Sequence, residues 1–217
     1  TTRANQNVTI NGGADNIINN IQIVGSGAND VLIDSSVTEI YHSELINEMA
    51  DKYVNDPDTG LNTLMPSKFI ISTGNDLTIN QTTLERAEIT SGNLNITHST
   101  VDVDRFDVTG DLTLDSSDNV AVPGVVMNAN NITATDSSFG GTITTGQLNV
   151  TGGSVDGDVT ADDIILSGTT ANIDFDITND LIANNVTGEI RGRGDEINIT
   201  NSNVAIELDG RLVTVID

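Results

Sequence analysis

A five-residue unit of alternating character recurs through most of this chain, and its spacing leaves few folds open. The unit reads Asp76-Leu77-Thr78-Ile79-Asn80, Asn93-Leu94-Asn95-Ile96-Thr97, Asp111-Leu112-Thr113-Leu114-Asp115 and Asn131-Ile132-Thr133-Ala134-Thr135. It continues as Gln147-Leu148-Asn149-Val150-Thr151, Asp163-Ile164-Ile165-Leu166-Ser167, Asp180-Leu181-Ile182-Ala183-Asn184 and Glu196-Ile197-Asn198-Ile199-Thr200. The leading apolar residues stand at 77, 94, 112, 132, 148, 164, 181 and 197, so the steps are 17, 18, 20, 16, 16, 17 and 16. A period of this size is the mark of a stacked repeat.

Two more apolar tracks advance with the first. One runs Leu84, Val101, Val120, Phe139, Val155, Ala171, Val186 and Val204, each preceded by Ser, Thr or Asn. The other runs Ala87, Phe106, Val125, Ile143, Val159, Phe175, Ile190 and Leu208. All three lengthen together near residues 112–143, as one wider coil requires. A β-sandwich of short strands would not keep three tracks in step. The expected fold is therefore all-β, a three-sided parallel β-helix (solenoid) with coils of about 17 residues, in which each coil buries its apolar residues only against its neighbours. Each buried Leu, Ile or Val contributes about 1.5–3 kcal/mol. Glycines such as Gly92, Gly110, Gly146, Gly157 and Gly188 fall at the expected corners.

The composition suits a narrow core. Hydrophobic residues make up 36% of the 217 and aromatics 3%, too few large side chains for a thick globular interior. The solenoid proper is placed over 69–217, with residues 1–40 as first coils or a cap. Units such as Val8-Thr9-Ile10, Ile21-Gln22-Ile23 and Val31-Leu32-Ile33 recur there with poorer phasing. Between them, 41–68 reads as an insertion. Ser43–Val54 has a helical pattern, with Ser43 as N-cap and Leu45, Ile46, Met49 and Tyr53 on one side. Insertions on repeat proteins often carry contacts, which makes Leu45, Met49 and Tyr53 candidate protein-interaction residues.

Charge bounds the partners. With 32 acidic against 8 basic residues the formal net charge is −24. Such self-repulsion is costly in dilute buffer and screened in molar salt, where the Debye length falls to about 3 Å. The composition fits a high-salt milieu, and nucleic acid is excluded as a partner because clustered Lys and Arg are missing. The absence of cysteine removes disulfides and thiolate chemistry. No apolar run reaches the length of a membrane span. The start of the chain carries no signal-peptide pattern.

Sites of chemistry are sparse. Asp102, Asp104 and Asp107 lie along one strand and corner, and paired acids on β-helices can serve glycoside cleavage or calcium. Asp56-Pro57-Asp58-Thr59-Gly60 opens like a calcium loop but lacks the later bidentate Glu. His42 and His98 have no nucleophile or metal-ligand partner at recognisable spacing. Asn-x-Ser/Thr sequons recur, as Asn- and Thr-rich strands generate them. No cofactor or metal is expected. One departure is more telling. The outward central residue of the unit is Thr or Asn in most coils but Ile165 and Ile182 in two successive ones, an apolar spot of the kind that marks a protein contact.

The stretch 146–192, with Gly146-Gln147-Leu148-Asn149-Val150-Thr151-Gly152-Gly153-Ser154-Val155-Asp156-Gly157-Asp158-Val159, resembles the bactofilins, polymer-forming β-solenoids with triangular coils of similar size. The likeness extends over about 70–217 and rests on Gly-Asp-Val and Leu-x-Val spacing. The insertion and the Asn/Thr richness depart from that family and look more like the β-helical turrets, spikes and tail proteins of virions, here of a virus of a halophilic, haloarchaeal host. That resemblance implies a non-enzymatic homo-oligomer on the virion surface, in contact with other virion structural proteins and with a host-surface glycan or protein. The bactofilin likeness implies a cytoplasmic or cell-envelope filament instead. A polysaccharide-cleaving β-helix is a third reading, tested by loss of activity in Asp102→Asn or Asp104→Asn. From charge alone, the melting temperature should climb steeply between low and molar NaCl. A flat salt response in a thermal melt would remove the high-salt inference.

Overall fold

The computed structural model describes residues 2–4, 16–19, 22–27, 30–34, 37–49, 52–55, 62–65, 67–118 and 125–216. Its strands join into one continuous parallel ladder that winds as a β-solenoid, with one separate antiparallel pair. A single coil shows the plan. Gln147–Thr151 forms the first face, and Ser154–Ala161 forms the second and third, bent where Gly157 has φ 130°. The next coil begins at Asp163 and lies directly on it, Leu148 on Ile164 and Val150 on Leu166.

The period-two alternation of these strands sends every second side chain inward. In-register stacking then places like on like. Leu77, Leu94, Leu112, Ile132, Leu148, Ile164, Leu181 and Ile197 form one column, continued by Val213. All but Val213 are at most 1% exposed. A second column on the same face runs from Ile40 through Ile79, Ile96, Leu114, Ala134, Val150, Leu166 and Ala183 to Ile199. In the coil that makes the 20-residue step from Leu112 to Ile132, Asp118 bridges Thr100 and Ser138.

The corner after the first face is built the same way in coil after coil. One residue takes the left-handed conformation: His42, Gln81, His98, Ser116, Asp136, Asn185 and Asn201 have φ between 46° and 55°. Gly152 and Gly168 take the role in two others. A buried hydroxyl comes next, in Ser43, Thr82, Ser99, Ser117, Ser137 and Thr169. Ser99 Oγ donates to the Thr97 carbonyl at 2.8 Å and accepts the Thr82 N–H of the preceding coil at 3.1 Å. Ser117 repeats this with the Asp115 carbonyl and the Ser99 N–H, at 2.9 and 3.2 Å. Ser137 repeats it again with Thr135 and Ser117. A turn that would leave a buried N–H unmatched is thus satisfied by the coil stacked on it. Gly153 and Val186 interrupt this hydroxyl column, and Ser202 resumes it by accepting the Val186 N–H at 3.0 Å.

Three expectations are corrected. First, the helix expected over 43–54 does not form: Glu44–Met49 is a strand, paired in parallel with Gln22–Gly27 on one side and with Thr83 and Leu84 on the other. Leu45 occupies the second-face column between Ile23 and Leu84, and burying it there outweighs the local helical pattern. The excursion from the stack is a hairpin, Lys52–Asn55 against Asn62–Met65, after which Phe69 rejoins the third face on Val31. Second, the second track passes through Gly188 rather than Val186, which sits at the hydroxyl corner. Third, the third-face column runs Ile71, Ile89, Phe106, Met127, Ile143, Val159, Phe175, Gly192 and Leu208. Ala87 stacks instead between Phe69 and Val103, and Ile190 between Ile173 and Ile206. Glycine carries no apolar signal, so a column that passes through one is assigned to the nearest Ile or Val.

Gly192 is required where it stands. Its φ is 146°, and a Cβ would lie 2.0 Å from the Phe175 carbonyl oxygen and 2.8 Å from the Phe175 ring. Gly192→Ala should therefore destabilise by about 1–3 kcal/mol or more. Leu148→Ala should cost about 2–5 kcal/mol through the lost column contact. Its outward neighbour Asn149→Ala should stay within about 0.5 kcal/mol. Urea unfolding of the three variants checks the order.

Candidate functional site

Ile165 and Ile182 project outward from the first face and are register partners on successive coils. Ile182 is 49% exposed and Ile165 half-buried. In their own column they are flanked by Asn149 on one side and Asn198 on the other. The columns beside them carry Asp163 with Asp180 at one edge and Ser167 with Asn184 at the other. The result is a small apolar patch with a polar rim, on a face whose other outward residues are mostly hydroxyls, amides and acids.

The other three interaction candidates do not join it. Leu45 is fully buried in the second-face column and offers nothing to a partner. Met49 ends the strand that contains Leu45, and Tyr53 lies in the hairpin opposite Leu64. A helix face carrying all three does not exist, because strand pairing has put Leu45 inside. The calcium-like segment 56–60 lies outside the described residues.

The acids around Asp102 are divided among different partners. Lys68 Nζ donates to Glu88 at 2.6 Å and lies 3.5 Å from Asp104. Burial works against the Lys68 charge, but the Glu88 hydrogen bond and the two carboxylates outweigh it and raise its pKa. Asp107 is gripped by Arg105 at 2.5 and 3.1 Å and by Asn128 at 2.9 Å, and the Arg105 hydrogen bond holds its carboxyl below the usual range. Asp102 differs from both. Partial burial, then the Asp104 charge, push its carboxyl up, with Arg86 pulling in the opposite direction. His42 and His98 are both left-handed corner residues with outward, exposed side chains. Among the described residues no group of three or more His, Asp or Glu is placed to hold a metal ion. Among the same residues no helix is long and apolar enough to cross a membrane.

Sequence reasoning overlooked two features. At 203–216 the inward columns emerge into the open: Ile206, Val213 and Val215 are 45%, 42% and 49% exposed, whereas Ile190, Ile197 and Ile199 one coil earlier are 0–1%. A following coil, of this polypeptide or of another, would cover them. The signal was the continuation of the Leu-x-Val unit as Leu212-Val213-Thr214-Val215. The second feature is Tyr41, an outward aromatic on the first face. A domain boundary drawn at residue 41 separated it from the strand Val37–Tyr41 to which it belongs.

No family model matches this chain, and no match is found among curated proteins or solved structures.

The Asp102 environment makes a pH prediction. A carboxyl whose folded pKa is raised contributes stability that is fully present below its ordinary value of 3.8 and is lost as pH rises through the folded value. Asp102→Asn should therefore raise the melting temperature at neutral pH, and the gain should shrink as pH falls through the raised folded value and be gone below 3.8. A variant that melts lower than the parent at neutral pH would contradict the assignment.

Proposed function

We propose that this chain is a non-enzymatic structural and interaction protein, a stiff acidic rod that associates with further copies of itself through its first face. The fuller reading is an oligomeric component of a virion surface, a turret, spike, decoration or tail protein adapted to high salt. The observation that carries it is the Ile165–Ile182 pair: an apolar patch on two successive coils, rimmed by polar groups, on a mostly polar face. Because the patch lies on a flat strand surface, two copies can present it to each other in a self-complementary contact, the commonest way for identical chains to pair. Stacked columns support the structural role, since every coil is braced by the next and a rod keeps its form under load. The net charge of −24 supports the high-salt setting, where screening lets such surfaces approach.

A second reading, a bactofilin-like cytoskeletal or cell-envelope polymer, is favoured by the unbroken parallel, in-register ladder, a geometry that coils of separate copies can continue. The two readings separate by assembly geometry. In molar NaCl, light scattering should give a closed oligomer, and electron microscopy should show discrete particles. Ile182→Asp combined with Ile165→Asp should shift association to at least about tenfold higher concentration, the cost of burying an unpaired charge. Filaments abolished by Val213→Asp but not by the isoleucine variants would select the second reading. Monomers at all salt and protein concentrations would remove both.

A further inference from the structure

The first face is hollowed where its earliest described coils meet. One cavity of ≈ 360 Å³ is lined by Glu39, Tyr41, His42, Thr78, Asn80 and Gln81. A second, of ≈ 830 Å³, extends past Ile17 and Thr38 to the corner at Gly74–Asp76. Both include Glu39 and Thr78, so together they make one trough that crosses the face from corner to corner.

We propose that this trough binds a neutral oligosaccharide along the strand direction, with Tyr41 as its stacking platform. Aromatic side chains are scarce here, and the four phenylalanines, Phe69, Phe106, Phe139 and Phe175, are all buried in the core. Among the described side chains, Tyr41 is the one aromatic other than histidine that reaches the surface, and the exposed ring of His42 stands beside it. Their rings meet edge to face, 5.4 Å between centroids at 82°. The left-handed corner conformation of His42 and Gln81, at φ 49° and 47°, turns both polar side chains out at the same end of two successive coils.

The register surrounds the ring with hydrogen-bonding groups. Tyr41 is paired with Asn19 on one side and Asn80 on the other, and Glu39 with Ile17 and Thr78. Ile17, 52% exposed, supplies an apolar contact further along. Amides, a hydroxyl and a carboxylate arranged around an aromatic and an aliphatic surface suit a ligand that shows a C–H face and several hydroxyls at once. The elongated shape favours a chain of sugars over a single one. Its charge selects further: the lining contains Glu39 and Asp76 but neither Lys nor Arg, so uronates, sulfated sugars and phosphates are repelled. This gives the rod a ligand as well as copies of itself, and it stands independently of the isoleucine patch.

The test is a printed array of neutral glucan, mannan and galactan oligosaccharides beside uronate and sulfated ones, probed in molar NaCl, followed by calorimetric titration of the strongest neutral binder. Tyr41→Ala should weaken binding about tenfold, the worth of one aromatic contact. Gln81→Ala, at an exposed corner, should weaken it several-fold without threatening the fold. Asn149→Ala, on the same face outside the trough, and Ile182→Asp should leave affinity unchanged. Circular dichroism and thermal melts certify that each variant is folded. Binding of no neutral oligosaccharide, a preference for the anionic set, or unchanged affinity in folded Tyr41→Ala and Gln81→Ala would each overturn the assignment.

Discussion

Everything in this molecule depends on parallel, in-register pairing between one coil and the next. That geometry sets each residue beside its equivalent about 4.8 Å away. A position suited to leucine in one coil is therefore suited to leucine in the next, and a column of apolar side chains closes the interior without large residues. The same rule acts on polar positions. On the third face, Asp174 meets Arg191 and Asp176 meets Arg193 in register, with ion pairs of 2.9 and 2.6 Å. Glu207 and Asp209 follow in the next coil, so each arginine is set between two acids. Exposed pairs of this kind add little stability individually. Their larger effect is on register, because a slip of one residue would set acid on apolar core and leave the arginines unmatched.

The fold was legible because its signal is periodic and apolar. Leu94, Leu112, Leu148 and Leu181 could be placed in one column by counting, and the structure stacks them so. Legibility failed where the inward residue has no side chain, at Gly188 and Gly192, and where the step departs from 17. The step from Leu45 to Leu84 is 39 residues, which hid the strand containing Leu45 behind a helical pattern. Local spacing of Leu45, Ile46, Met49 and Tyr53 says nothing about a partner strand so far along the chain. Tertiary pairing settled the conformation there.

Surface features were legible unevenly. Ile165 and Ile182 declared themselves by contrast with Thr and Asn at equivalent positions. Asp102, Asp104 and Asp107 read as one cluster in the sequence, but the structure gives Asp104 and Asp107 separate cations, Lys68 from an earlier coil and Arg105 from their own strand. The corner hydroxyls Thr82, Ser99, Ser137 and Thr169 stand two residues before the second track, one place ahead of the Ser or Thr that its spacing singled out. Their role in accepting an N–H from a neighbouring coil requires knowing which turns are stacked.

The hairpin at 52–55 and 62–65 leaves the ladder after Met49, and the chain returns at Phe69 with the columns on either side uninterrupted. A solenoid corner can thus swallow or shed extra chain without disturbing the coils around it, because alignment is enforced by the neighbouring windings and not by the length of the connection. Evolution can accordingly lengthen, replace or delete such an outgrowth while the shaft that carries it keeps its cross-section.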